Sequence, residues 1–509
     1  MAHLEEKHGK LVARNSLLNL SAQVVSILIG LATIPYIVRH LGPNGFGILS
    51  IAWMLFNYFL IFDLGLSRAT TKYVAECLNP GNHYRIAGVI WTSLRLQLLL
   101  GLVGGSAVAS VVPFAVHHVF KMPAAWMGEA RTSLFLLAAS LPILLVSNCA
   151  RGVLEGAQRF DLIVPVNMAN TISLYVLAAV AVGFGAKVSF VILISVISRT
   201  LAAGAYLWLC CRVFPEIKRQ RGFAMAELRP LASYGGWVTV CNASGPLFGY
   251  LERFVIASIV SVSALAYYSA PFELVSKTLI FPASIAPALF PYFSFHGNRR
   301  SVVSEASSRT IKYLLFVMTP ITIVFVFFAN PILHFWLGAE FARQSTMVMQ
   351  LLAIVFFLNA FAQIPFTSVQ ALGRPDLKAI LDMVALPAYA LYTWWLTKHF
   401  GINGAASSKL ICTVVDVGFL FWFARSLKAF SIRSWISGTL SRALAMSAAL
   451  IAVVFGLQFF HPASMLAYSI VCLCFIVYSI AFWTMAIDAE DKVTILSIPR
   501  QLLARKVHP

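Results

Sequence analysis

Long runs of apolar residues, broken by short polar segments, recur from residue 16 to residue 487. A membrane-spanning helix needs about twenty mostly apolar residues, because a rise of about 1.5 Å per residue must cover about 30 Å of hydrocarbon. The strands of a membrane barrel would instead alternate apolar and polar positions over about ten residues. The runs are continuously apolar, so they predict helices that cross a membrane.

The fold class predicted from this pattern is all-α: a polytopic membrane protein with about 14 transmembrane helices, in two six-helix lobes plus two C-terminal helices. The predicted spans are 16–38, 45–66, 86–116, 132–150, 163–184, 188–211, 231–259, 264–290, 311–329, 347–371, 379–397, 404–424, 443–460 and 465–487.

The distribution of Lys and Arg predicts the orientation, since inner loops of membrane proteins are enriched in these residues. With the N-terminus inside, the inner segments hold 27 of them and the outer segments only 6. The six outer residues are Arg39, Lys121, Arg131, Lys187, Arg343 and Lys398. Both termini are therefore predicted to be cytoplasmic. The polar start of the chain also predicts that the first span serves as an uncleaved targeting signal.

Composition agrees with a membrane protein: 60% of residues are apolar, 11% are charged and the mean hydropathy is +0.82. The net charge of +19 is dispersed through short loops, which indicates a membrane surface and excludes nucleic acid as a partner. The eight cysteines form no CxxC pair, so we expect no metal and no redox cofactor. No P-loop is present, so ATP hydrolysis by the chain itself is not expected, and no residue set predicts a catalytic site.

Two short similarities indicate an internal repeat. LEGAQRFDL (154–162) aligns with VQALGRPDL (369–377), and NGFGILS (44–50) aligns with SALAYYS (263–269), at offsets of 215 and 219. Because each half holds six spans of the same orientation, the repeats are parallel, a plan found in transporters. The predicted domains are an N-terminal lobe (1–210), a basic cytoplasmic linker (211–230), a second lobe (231–424), and two further helices with a cytoplasmic tail (425–509).

Several segments are similar to those of a known family. DLGLSRATTKYVAE (63–76) resembles the end of the second helix in bacterial O-antigen and exopolysaccharide flippases of the multidrug/oligosaccharidyl-lipid/polysaccharide exporter superfamily. YIVRHLGPNGFGILS (36–50), LERFVIASIVSVSALAYYSAPFEL (251–274) and PALFPYFS (287–294) also resemble that family. The resemblance implies flipping of a lipid-linked oligosaccharide by alternating access of two lobes, in a bacterial inner membrane. The implied partners are a polyprenyl-pyrophosphate-linked oligosaccharide, membrane lipids, and a polysaccharide polymerase with export machinery.

Ionisable residues within the spans are candidate functional residues, because a charge inside a bilayer is costly unless it faces protein, water or a partner. The candidates for binding an anionic substrate are Arg95, Arg199, Arg253, Lys277 and Lys409. The candidates for coupling or gating are Glu252, Asp416 and Asp63. Arg95 and Arg199 lie about 15 Å from the cytoplasmic ends of their helices, too deep for easy solvation.

Structural roles remain open for these residues. Glu273 and Lys277 have the spacing of an ion pair on one helix, and Asp63 and Asp382 lie near cytoplasmic ends where loop cations can reach them. The deep arginines could instead hold the lobes together. Glu252 and Arg253 are adjacent and diverge by about 100° around a helix, so we expect them to have separate partners.

Two other functions are weighed against the flippase. A cation-coupled drug exporter of the same superfamily is disfavoured by the fourteen predicted spans, since that branch usually has twelve, and by the segment 63–76. A membrane-bound glycan polymerase or ligase would need large outer loops to bind sugars, and the predicted outer loops are short.

Overall fold

The computed structural model describes residues 2–78, 83–219, 244–296, 299–374, 376–427, 439–460 and 465–487. Every regular element in these ranges is helical, which confirms the predicted all-α polytopic class. The predicted linker from residue 220 onward and the tail after residue 487 lie outside the described residues.

We number the α-helices in chain order. They are α1 (Ala2–Tyr58), α2 (Leu66–Cys77), α3 (Ile86–Phe114), α4 (Ala124–Gly156), α5 (Phe160–Ile172), α6 (Ala178–Gly183), α7 (Val188–Val213), α8 (Glu216–Arg219), α9 (Ser244–Ile259), α10 (Val262–Ser276), α11 (Ile280–Phe295), α12 (Arg300–Phe327), α13 (Ala329–Leu337), α14 (Ala339–Ala371), α15 (Asp376–Ser426), α16 (Thr439–Phe460) and α17 (Met465–Met485). Tighter 3-10 turns occupy Phe59–Asp63, His83–Arg85 and Lys277–Leu279, and π-helical turns occupy Ala115–Val119 and Ser173–Leu177.

Among the described residues, 8 helical stretches are long and apolar enough to cross a membrane. They are Gln23–Asp63, Ile86–Val119, Ala124–Gly156, Phe160–Gly183, Val188–Val213, Arg300–Phe327, Ala339–Ala371 and Asp376–Ser426, and two shorter apolar helices cover Leu440–Gly456 and Ser469–Met485. The protein is therefore a multi-pass membrane protein.

Two of these stretches contain a glycine that breaks the helix. The stretch Gln23–Asp63 has 41 residues and Asp376–Ser426 has 51, and each is about twice as long as one crossing requires. Gly42 has φ 67° and ψ 176°, and Gly401 has φ 59° and ψ −139°. Residues with a side chain rarely adopt these angles, so glycine makes the turn at both positions. The breaks lie where the sequence predicts a boundary between two spans.

By packing, the chain divides into two compact units. The first unit comprises Met1–Leu274, Trp336–Ser345 and Ala379–Ser408, and the second comprises Val275–Phe335, Thr346–Lys378 and Lys409–Pro509. These units reflect which residues contact one another, whereas the predicted domains rest on sequence repeats. The repeat boundaries stay a prediction.

Close helix contacts in the first unit position the segment that follows the second predicted span. A Cβ atom at Gly152 of α4 would lie 2.8 Å from the carbonyl oxygen of Ser67, and one at Gly156 would lie 2.7 Å from that of Thr71. The Thr71 hydroxyl donates to the Gly152 carbonyl at 3.0 Å. Because no side chain fits between them, α2 is held directly against α4.

Candidate functional site

Two adjacent charged residues lie in the buried interior of the first unit. Glu252 and Arg253, on α9, are 0% and 1% exposed. A buried charge is costly unless it is paired or hydrogen-bonded, so each needs polar neighbours. As the sequence predicts, the two residues have different partners.

Arg253 forms an ion pair with Glu273 of α10, with 3.1 Å between Nη2 and Oε1. Its guanidinium carbon also lies 4.1 Å from the centre of the Phe272 ring and 5.0 Å from that of Tyr250. Among the described residues, no group accepts a hydrogen bond from its Nε or Nη1. The guanidinium is therefore held in place by one carboxylate and two rings, with donors left for another acceptor.

Glu252 accepts a hydrogen bond from the hydroxyl group of Tyr389, a buried residue in the first half of α15. The Tyr389 ring stacks on Phe248 with 5.3 Å between ring centres and an interplanar angle of 10°. This stacking fixes the direction of the hydroxyl group. The cluster thus holds two carboxylates and one guanidinium. A proton or a small cation could balance the negative charge that remains.

The two deep arginines predicted from the sequence differ in their surroundings. Arg199 lies near the middle of α7, and its guanidinium carbon is 4.1 Å from the centre of the Phe56 ring. Its Nε is fully enclosed, and no described residue forms a hydrogen bond or an ion pair with it. Arg95, on α3, is exposed, and its guanidinium carbon lies 5.6 Å from the Trp91 ring.

Asp63 lies at the end of a 3-10 turn, where Leu64 and Gly65 both adopt left-handed angles before α2 begins. Its carboxylate accepts hydrogen bonds from the Ser67 amide at 3.3 Å, from the Ser67 hydroxyl, and from Gln97 Nε2 at 2.6 Å. These contacts fix the start of α2, a structural role that does not depend on the loop cations expected from the sequence. They also leave the carboxylate buried among neutral donors.

The remaining candidates lie mostly in the second unit. Asp416 of α15 accepts a hydrogen bond from Lys378 at 2.7 Å, an ion pair that the sequence analysis did not foresee. Lys277 and Lys409 are half-buried. Asp382, in the first unit, is buried. The pairing predicted between Glu273 and Lys277 stays a prediction, and the bond that the structure gives Glu273 is to Arg253.

Sequence patterns did not identify the aromatic residues that surround these charges. Tyr250 and Phe272 flank Arg253, and the Tyr389 hydroxyl donates a hydrogen bond to Glu252. A local signal exists for Tyr250, which is one helical turn before Arg253, but none exists for Tyr389, which is 137 residues from Glu252. Within the described ranges, no group of three His, Cys, Asp or Glu residues could hold a metal ion.

Comparisons with known proteins place this architecture in a class. A protein of Shigella flexneri named "Putative O-antigen transporter" is 28% identical over 421 residues, which cover 81% of this chain and 97% of that protein. A structure described as "Lipid II flippase MurJ, inward closed conformation" matches with a TM-score of 0.71 at 13% identity, over 92% of this chain and 99% of that one. An inward-facing multidrug resistance MATE family transporter of the MOP superfamily matches with a TM-score of 0.69 at 15% identity, over 81% and 98%.

The helical architecture and these matches define the class by its fold: the chain has the fold of a MOP superfamily transporter and of a lipid II flippase of known structure. Residues 12–295 match the family described as "Polysaccharide biosynthesis protein". That match covers more than half of the chain, so the protein belongs to this family.

Proposed function

We propose that this protein flips a lipid-linked oligosaccharide, carried on polyprenyl pyrophosphate, across a bacterial inner membrane by alternating access. Three findings support the proposal: the family match, the similarity to a protein named as an O-antigen transporter, and the fold shared with a lipid II flippase. The substrate has a charged pyrophosphate that cannot cross hydrocarbon unaided, so a carrier must offer cations inside the membrane.

The observation that carries the proposal is a pair of arginines, each with its Nε enclosed, the half-buried Arg199 and the buried Arg253. Each guanidinium lies 4.1 Å from the centre of an aromatic ring, and each has an enclosed Nε without a described acceptor. A planar guanidinium binds two oxygens of a phosphate at once, which a lysine cannot do. Arg95, Lys277 and Lys409 are further cations that we propose for binding the substrate.

Glu252, Asp416 and Asp63 are the proposed coupling or gating residues. Glu252 is fully buried beside the Arg253–Glu273 pair, and Asp63 is buried among neutral donors. A carboxylate in such a site can gain or lose a proton as its surroundings change, and so can link transport to an ion gradient.

We further propose that both termini are cytoplasmic, and that the protein acts with membrane lipids, a polysaccharide polymerase and export machinery. The excess of Lys and Arg in the predicted inner loops supports this orientation. A flipped repeat unit must be consumed on the outer side, which is the chemical reason for expecting a polymerase.

A second candidate is a cation-coupled exporter of small molecules. The match to a MATE transporter, the buried Glu252 and the half-buried Glu273 favour it. The two functions differ in what a deletion strain loses. Loss of a surface glycan with unchanged drug susceptibility supports the flippase, and raised drug susceptibility with an intact glycan supports the exporter.

The experiment that tests the proposal restores the deletion strain with single variants. Arg199→Ala should abolish the surface glycan while the protein remains abundant in the membrane, and Arg199→Lys should restore part of it. Arg212→Ala is the matched control, because Arg212 lies on the same helix over the Trp208 ring, at the exposed end. Normal glycan with Arg199→Ala would reject the proposal.

A further inference from the structure

A pocket of about 450 Å³ opens on the first unit, where the chain between α3 and α4 meets the start of α10. Its polar lining consists of His117, His118, Lys121, Ser261 and Ser263. No carboxylate is among the described residues that line it. The pocket shares no residue with the cluster around Arg199 and Arg253.

The two histidines are presented by an irregular turn. Pro113, one residue before the end of α3, has no amide proton to donate, and the chain continues as the π-helical turn Ala115–Val119. His118 stacks on Phe114 with 4.9 Å between ring centres, and both histidines are exposed. Single π-helical turns are frequent at functional sites because they change the direction of the side chains that follow.

Lys121 is fixed to the opposite wall by three hydrogen bonds. Its amide donates to the Ala257 carbonyl at 3.0 Å, its carbonyl accepts from the Val262 amide at 2.9 Å, and its Nζ donates to the Ile259 carbonyl at 2.7 Å. That wall is itself packed tightly, since a Cβ atom at Gly47 would lie 2.0 Å from the Val262 carbonyl oxygen. The ammonium group is therefore preorganised at the pocket and keeps two further protons to donate.

The hydroxyl groups add donors on the α10 side. Ser261 Oγ accepts a hydrogen bond from the Ala264 amide at 3.0 Å and lies 3.0 Å from Ser263 Oγ. One hydroxyl donates to the other, so one hydroxyl proton remains for a ligand. Helix α10 also begins here, and the helix dipole favours negative charge at its N-terminus.

We propose that this pocket binds the phosphate group of an anionic phospholipid. Two imidazoles, an ammonium group and a hydroxyl group line an open hollow of about 450 Å³, a volume within the range of small-ligand sites. Phe120, Met122 and Met127 supply an apolar wall beside the polar groups. The pocket lies at the ends of two membrane-spanning helices, α3 and α4, where lipid headgroups are the phosphates within reach.

The test measures binding to the purified full-length protein in detergent, by thermal stabilisation and native mass spectrometry. The probes are dioctanoyl phosphatidylglycerol, dioctanoylglycerol, which lacks the phosphate, and glycerol 3-phosphate, which lacks the chains. The variants are His117→Gln with His118→Gln, and Lys121→Gln. The matched control is Lys187→Gln, which removes an exposed lysine that does not line the pocket.

Phosphatidylglycerol should bind the unsubstituted protein and the Lys187→Gln control equally. Each pocket variant should bind it about tenfold more weakly, the loss expected for one charge-assisted hydrogen bond. Equal binding of dioctanoylglycerol would overturn the phosphate site, and equal binding of glycerol 3-phosphate would overturn the lipid assignment. Unchanged binding by correctly folded pocket variants would overturn the proposal. Because the readout is binding and not flipping, these outcomes leave the proposed function untouched.

Discussion

Arg199 and Arg253 both lie beside aromatic rings inside the first unit, but only Arg253 has a carboxylate partner among the described residues. This difference separates the consequences of substitution. Removing Arg253 leaves Glu273 without that cation, whereas removing Arg199 takes no partner from a described carboxylate. Arg199, which has no carboxylate partner among the described residues, therefore gives the cleaner test of substrate binding.

We expect Arg253→Ala to lower the free energy of unfolding by about 3–5 kcal/mol, the cost of breaking a buried ion pair from one side. Protein abundance in the membrane should fall with it. The double variant with Glu273→Ala should lose less than the sum of the single losses, because it leaves no unpaired charge. Thermal unfolding in detergent measures these changes, and additive losses would contradict the pairing.

We expect Gln97→Leu to weaken the anchoring of α2, because it removes the 2.6 Å hydrogen bond to Asp63 and places an apolar group against that carboxylate. The loss of a hydrogen bond to a charged group is about 1.5–3 kcal/mol. Proteolysis near α2 should become faster and transport should fall. The separate variant Gln97→Glu places a second carboxyl group against Asp63, and it should be active only at low pH. Activity of Gln97→Leu equal to that of the unsubstituted protein would show that Asp63 needs no such donor.

At the scale of elements, the loops after α4 and α14 have the same construction. In each, an arginine amide donates to a carbonyl five residues earlier, Arg159 to Leu154 at 2.9 Å and Arg374 to Val369 at 3.1 Å. Each arginine also holds the aspartate two residues later through Nε and Nη2. The hydrogen bond to Asp161 raises the pKa of Arg159. This shared geometry supports the repeat inferred from the sequence.

The residue before each arginine gives a test of that equivalence. Gln158 has φ 55° and Gly373 has φ 78°, both in the left-handed region that favours glycine. Gly373→Gln should therefore lower the free energy of unfolding by about 1 kcal/mol. Gln158→Gly should change it less, because relief of strain offsets the extra freedom of the unfolded chain. Thermal unfolding of both variants checks this. A larger loss of unfolding free energy for Gln158→Gly than for Gly373→Gln would contradict the local equivalence.

The sequence predicts elements better than it predicts contacts. Gly42 and Gly401 mark turns because their backbone angles are a local property, and the apolar runs reveal the helices. The predicted span 264–290 is instead divided by a 3-10 turn at Lys277–Leu279, which no local pattern announces. The partners of Glu252 and Arg253 lie on other helices, 137 and 20 residues away, so periodicity along one helix could not identify them.

At the scale of the whole molecule, the orientation of the chain is a prediction from the charge bias. Reporter fusions after Lys121, Lys187 and Lys398 should report the outer side, and fusions after Gln220, Asn298 and Val507 should report the cytoplasm. An outer signal at Gln220 would contradict the parallel arrangement of the two repeats, because six spans must return the chain to its starting side.

The central claim is that the protein moves a pyrophosphate-linked oligosaccharide across a bilayer, and reconstitution tests it most directly. Purified protein in vesicles should bring a fluorescent polyprenyl-pyrophosphate oligosaccharide from the inner leaflet to the outer, where a glycosidase cleaves it. The rate should fall to that of protein-free vesicles with Arg199→Ala and stay unchanged with Arg212→Ala. The contrary result would be cleavage of the glycan no faster than in protein-free vesicles. It would contradict the account if the unsubstituted protein is correctly folded and a proton or sodium gradient of either direction is applied.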